Sequence, residues 1–191
     1  MIALLLLLSA CGGAGSSGNE AEQLALEIRT EYLNMTACTA ALELTADYGQ
    51  RVYQYSMDLN YQREGATTLT VTAPENIAGM TACLEEGETA LEYDGLHMET
   101  GPLTQDGLSP IDAVPALLTS VREGFLAECV LEELDGVQAL HTSSRDPEAS
   151  PGQGVEIQLW FDAATHALLQ GEIAQDGFTV IHCKFSSFSP A

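Results

Sequence analysis

The chain has 191 residues, with six Lys or Arg against 28 Asp or Glu and a net charge of −22. A phosphate backbone would be repelled by such a surface, which argues against nucleic-acid binding, and docking onto anionic headgroups is disfavoured too. The length suits one domain with a single core.

The chain opens with an apolar run over residues 2–8, which leads into Leu8-Ser9-Ala10-Cys11. That run is too short to span a bilayer, which takes about 20 residues, but it suits the apolar region of a secretory signal. The four residues resemble the lipobox of a bacterial lipoprotein signal. The resemblance implies removal of residues 1–10, acyl chains on Cys11, and a protein held outside the cytoplasm at the cell membrane. At about 0.8 kcal/mol per buried CH₂, such chains make an effectively permanent anchor. Residues 11–19 are rich in Gly and Ser and predict a flexible tether. One folded domain is expected over residues 20–191.

From Glu20 the pattern is helical. Leu24, Ala25, Ile28, Tyr32 and Leu33 mark an apolar stripe, with Glu20, Glu22 and Glu27 opposite and Asn34 as the stop. The period then changes to two. Cys38, Ala40, Leu42 and Leu44 share one strand face. After a turn at Gly49-Gln50, Tyr53, Tyr55, Met57, Leu59 and Tyr61 alternate with mostly polar residues in a long half-buried strand. Leu69, Val71 and Ala73 alternate with threonines and stop at Pro74. Short strands are expected over residues 77–84, 89–93 and 96–99, then a loop to Leu108. Ser109-Pro110-Ile111-Asp112 predicts a helix start, with Ser109 as N-cap, and a helix to Arg122 that Pro115 should kink or cut. Further strands follow over residues 125–132, 137–142, 155–161, 166–174 and 178–188. Val155, Ile157, Leu159 and Phe161 share a face of one, and Ile181, Cys183 and Phe185 a face of the last. Trp160 falls on the face opposite Leu159 and Phe161, as an exposed contact residue or one lying under a loop.

The sum is an α+β domain: about ten antiparallel strands in hairpin order, one N-terminal helix and one mid-chain helix. A sheet that long should curl into a half-barrel whose concave face the helices close.

The order of these elements resembles the LolA/LolB-like superfamily of lipoprotein carriers and related tethered lipoproteins, including the spore-germination lipoprotein type. The likeness is carried by the N-terminal helix, by the stretch from Leu69 through Leu91-Glu92-Tyr93-Asp94-Gly95, and by the helix after Ser109. It continues through Leu159-Trp160-Phe161-Asp162, Asp176-Gly177 and Phe185-Ser186-Ser187-Phe188. The resemblance implies an apolar cavity between sheet and helices that takes an acyl chain or lipoprotein, with no catalytic residues, cofactor or metal. The expected lining is Leu42, Leu44, Tyr53, Tyr55, Met57, Leu59, Leu69, Val71, Leu159, Phe161, Ile181 and Phe185. The carrier's cavity arginine has no counterpart, since Arg51 and Arg63 lie at strand ends. A rival reading is a regulatory or scaffolding lipoprotein that docks a cell-envelope protein by its outer face or sheet edge.

Beyond Cys11, an even set of cysteines remains: Cys38, Cys83, Cys129 and Cys183. Outside the cytoplasm two bridges in three connectivities are open to them. Without Cys-x-x-Cys or a neighbouring His pair they form no zinc pattern, and they are expected mainly as small buried apolar residues. His97, His141, His166 and His182 are scattered. The chain carries no Gly-x-Ser-x-Gly elbow, His-Glu-x-x-His or P-loop. A hydrolase reading therefore has no candidate nucleophile.

Overall fold

The structure is a computed structural model, and it describes residues 16–85, 88–101 and 106–191. Cys11 lies outside them. The chain order is α1 (Ser16–Asn34), β1 (Ala37–Asp47), β2 (Val52–Gln62), β3 (Thr67–Ala73), a 3₁₀ turn (Glu75–Ile77), β4 (Thr81–Glu85), β5 (Glu88–Tyr93), β6 (Leu96–Gly101), α2 (Ala113–Glu123), β7 (Leu126–Leu134), β8 (Val137–Arg145), β9 (Val155–Asp162), β10 (Leu168–Gln175) and β11 (Phe178–Pro190). All eleven strands join one antiparallel sheet, β6-β5-β4-β3-β2-β1-β11-β10-β9-β8-β7. The sheet is curved and does not close. Every neighbour in it is a hairpin partner except at β1–β11, where the two ends of the chain meet.

The reason for the sheet is the period-two pattern. Along β1, Cys38, Ala40, Leu42, Leu44 and Ala46 are all buried. Leu42 faces Met57, Leu44 faces Tyr55 and Ala40 faces Leu59 across β1–β2. On the other flank Leu44 sits opposite Cys183 and Leu42 opposite Phe185. One continuous apolar face results, and the two helices cover part of it. The stripe on α1 is Ala21, Ala25, Ile28 and Tyr32, all buried. Leu33 lies a helical step off that line and is 46% exposed, unlike its expected place in the stripe. α1 packs on β7, β8 and α2, and α2 packs on β9 and β10.

Three boundaries differ from expectation. There are eleven strands, because the weak run after Leu96 is a full one, and the strand expected over residues 77–84 is shortened to β4, with Ile77 in the 3₁₀ turn. α1 begins at Ser16, inside the segment expected as tether. α2 begins at Ala113 with Asp112 at its N-cap, three residues later than expected. Ser109 still caps the entering turn: its Oγ accepts from the Asp112 N–H at 3.3 Å. Pro115 therefore falls in the first helical turn, where its missing N–H leaves no bond unmade and no kink is required.

Gly171 fixes how closely α2 approaches. It sits on the inner face of β10, and a Cβ there would stand 2.5 Å from Leu117 Cδ1. Gly171→Val is expected to push α2 off the sheet, at a cost of about 1–3 kcal/mol. Thermal unfolding checks this, and Leu117→Ala in the same chain should restore part of the loss.

Candidate functional site

The helices do not cover the whole concave face. Where β2–β5 curve away from them, an apolar cavity of about 380 Å³ remains. Its floor is Met57 and Leu69, with Ala82 between neighbouring strands, and these three are buried. Tyr55, Val71 and Leu91 form half-buried walls. Ile77 and Met80, from the β3–β4 connection, form one rim. Residues 109–111, the entry to α2, form the other. This volume lies within the roughly 300–1,000 Å³ of ligand pockets. The side chains that line it are apolar except for those of Ser109 and Tyr55, which carry hydroxyls. A larger hollow beside α1 is lined by Glu20, Gln23 and Glu27 and is polar. A third space of about 30 Å³, beneath α1 and α2, holds the buried, unpartnered Ser120 Oγ, and is large enough for a water.

Of the residues expected to line a cavity, Tyr55, Met57, Leu69 and Val71 meet here. Leu42, Leu44, Leu59, Leu159, Phe161, Ile181 and Phe185 lie in the closed core. Tyr53 is 39% exposed and packs edge-on against Tyr48. The β2 row thus passes through three environments. Tyr61 lies under Arg122 of α2, whose guanidinium sits over its ring and donates to its hydroxyl. Met57 and Tyr55 face the cavity, and Tyr53 reaches solvent. The rim residues Ile77, Met80 and Ile111 are absent from the expected lining, because periodicity marks a strand face and not the turn that folds over it.

The convex face carries a polar cluster instead. Trp160 is only 7% exposed; His141 stacks on it with ring centroids 4.2 Å apart. The indole Nε1–H donates to Glu132 Oε1 at 2.6 Å, and the His141 Nε2 lies 3.0 Å from Gln158 Oε1. So Trp160 is neither bare nor beneath a loop but covered by its own neighbours on the sheet. Among the described residues no group of His, Cys, Asp and Glu is arranged to hold a metal ion. No described helix is long and apolar enough to cross a membrane.

Cys38, Cys83, Cys129 and Cys183 are all free thiols. Burial pushes Cys183 up to about 12 and Cys38 up to about 11, the latter against the opposing pull of Arg122. Both thiols hold their protons more tightly folded than unfolded. Their contribution to stability is full below the unfolded value, about 8.5, and is lost as pH rises through the folded values. In native protein at pH 8, a disulfide-exchange reagent should therefore label Cys83 and Cys129, which are half-buried, while Cys38 and Cys183 react only on unfolding. Peptide mapping checks the order.

No family model matches the chain, and no curated protein does. Among solved structures it is similar to an uncharacterised conserved protein from Thermus thermophilus, at 11% identity and a TM-score of 0.53, covering 90% of this chain and 88% of that one. Looser likenesses include LprF from Mycobacterium bovis, at 15% identity and a TM-score of 0.49 over 92% and 95% of the two chains. Another is the LolA superfamily protein NE2245 from Nitrosomonas europaea, at 9% identity and 0.42 over 92% and 94%. The likeness to the Thermus protein, over nearly the whole of both chains, is one of fold. In this half-barrel the helices pack over β7–β10, and the gap they leave over β2–β5 is the cavity described above.

Proposed function

We propose that the chain is a membrane-anchored extracytoplasmic lipoprotein that takes an acyl chain into its half-barrel. The observation that carries this reading is the apolar cavity itself, whose half-buried walls and rim, Val71, Ile77, Met80 and Leu91, stand above a floor of Met57, Leu69 and Ala82. Such a surface, left open to water, stands to gain about 25 cal/mol for each Å² that a ligand covers. Met57 and Met80 add unbranched, adaptable walls that suit a flexible chain. Binding and release need no catalytic group. The anchor would be the acylated Cys11, which precedes α1 by only a few residues and would keep the cavity close to its lipid source.

Native mass spectrometry tests the cavity. The chain carrying Cys11→Ser, and so lacking the proposed anchor, is mixed with monooleoylglycerol. A one-to-one adduct supports the reading, and a clean apo mass throughout the titration refutes it. Metabolic labelling with an alkyne palmitate analogue tests the anchor: label is expected on the natural chain and lost with Cys11→Ser.

A second reading, docking of a cell-envelope protein, rests on β6. That strand is an open edge of the sheet, with Leu96 74% and Met98 59% exposed. Lysine at both positions would abolish such docking and leave the lipid adduct intact.

A further inference from the structure

We infer that the ligand's head group is uncharged: the cavity takes an acyl lipid whose polar end offers hydroxyls, and it rejects chain-matched anions. The inference rests on the acyl-chain reading above and adds the chemistry of the other end of the molecule.

The distribution of the six basic residues decides it. Between Arg63 and Arg122 the sequence has ten Asp or Glu and no Lys or Arg. That segment supplies every lining residue of the cavity except Tyr55 and Met57. Five of the six basic side chains are committed elsewhere. Arg29 donates to the Val121 and Gly124 carbonyls at 2.9 and 2.6 Å. Arg63 donates to the Tyr32 carbonyl at 3.1 Å, and Arg122 to the Tyr61 hydroxyl. Arg145 pairs with Glu156 at 3.9 Å and Lys184 with Asp135 at 2.6 Å, both on the far half of the sheet. The sixth, Arg51, is exposed in the β1–β2 turn, outside the lining.

An anionic head held at this mouth would lose water without gaining a cation. The segment that supplies most of the lining carries carboxylates and no cation of its own. Tyr48 donates its hydroxyl to the Leu108 carbonyl beside the rim at 3.0 Å. Burial first, and then Tyr55, Asp112 and Tyr53, hold its hydroxyl in the protonated form above the ordinary range. A neutral hydroxylated head meets no such penalty. Ser109 Oγ, which accepts from the Asp112 N–H, keeps its own O–H to donate, and the Tyr55 hydroxyl can donate or accept.

The test compares monooleoylglycerol with oleate, at pH 8.5 and low salt, on the chain carrying Cys11→Ser. Monooleoylglycerol should bind at least tenfold more tightly, about 1.4 kcal/mol, and the gap should narrow in 0.5 M salt. Ile77→Lys, which sets a cation on the rim, should raise oleate affinity toward that of the glyceride. Equal or tighter oleate binding to the natural cavity overturns the inference and leaves the acyl-chain reading standing. So does an oleate affinity that Arg51→Ala removes, or an Ile77→Lys chain that still binds the glyceride but refuses oleate. Binding of neither lipid overturns both.

Discussion

Phe161→Ala is expected to lower the unfolding free energy by about 3–5 kcal/mol. Phe161 is 2% exposed on the inner face of β9, with Leu140 opposite on β8 and Leu168 on β10. Its ring meets Tyr32 of α1 edge-on, centroids 5.5 Å apart. Removing the ring opens a void where sheet and helix meet, and neither can collapse into it without moving the other. Tyr53→Ala offers the contrast. It belongs to an equally regular alternating row, yet it is partly exposed and should cost no more than about 0.5–1 kcal/mol. Urea midpoints measure both. Comparable losses would mean that Tyr32 of α1 does not pack on Phe161 as described.

Ala82→Trp is expected to abolish uptake of monooleoylglycerol while the chain stays folded. Ala82 is 5% exposed on the cavity floor, opposite Leu69 on one side and Leu91 on the other. An indole there would occupy the space proposed for the acyl chain. Because the site is a cavity and not packed core, the usual overpacking cost should be small or reversed. The adduct should vanish in the mass spectrum and the melting temperature should hold or rise. Undiminished uptake would place the ligand elsewhere. Unfolding would mean that the floor has no room above it.

Much of this architecture was legible in the sequence because strand alternation is a local signal. Cys38 to Leu44 and Tyr53 to Tyr61 announce their faces residue by residue, and turn glycines and Pro74 separate the runs. The division of those faces between core and cavity was not legible. Leu59 and Met57 look alike along β2, and what distinguishes them is whether packed core or empty space lies above. That depends on where residues 109–111 cross the sheet, a long-range fact with no periodic signature. Gly171 was an available clue to where α2 sits, since a lone glycine inside a strand signals a close approach by something else. Trp160 differs from expectation for a related reason. Alternation places it on the convex face correctly, but its cover comes from His141 and Glu132 on neighbouring strands. At α2, Ser109-Pro110 has the right residues for a cap, yet the chain first makes a turn there and enters the helix at Asp112.

The most direct test of the cavity uses its own methionines. Met57 and Met80 line it, Met98 is bare on β6, and Met35 is buried at the end of α1 away from it. Methyl-¹³C methionine spectra of the chain carrying Cys11→Ser would be recorded as monooleoylglycerol is added. The Met57 and Met80 methyl signals are expected to move together and saturate, with Met35 unmoved. Saturation that shifts Met35 or Met98 while Met57 and Met80 stay still would contradict it.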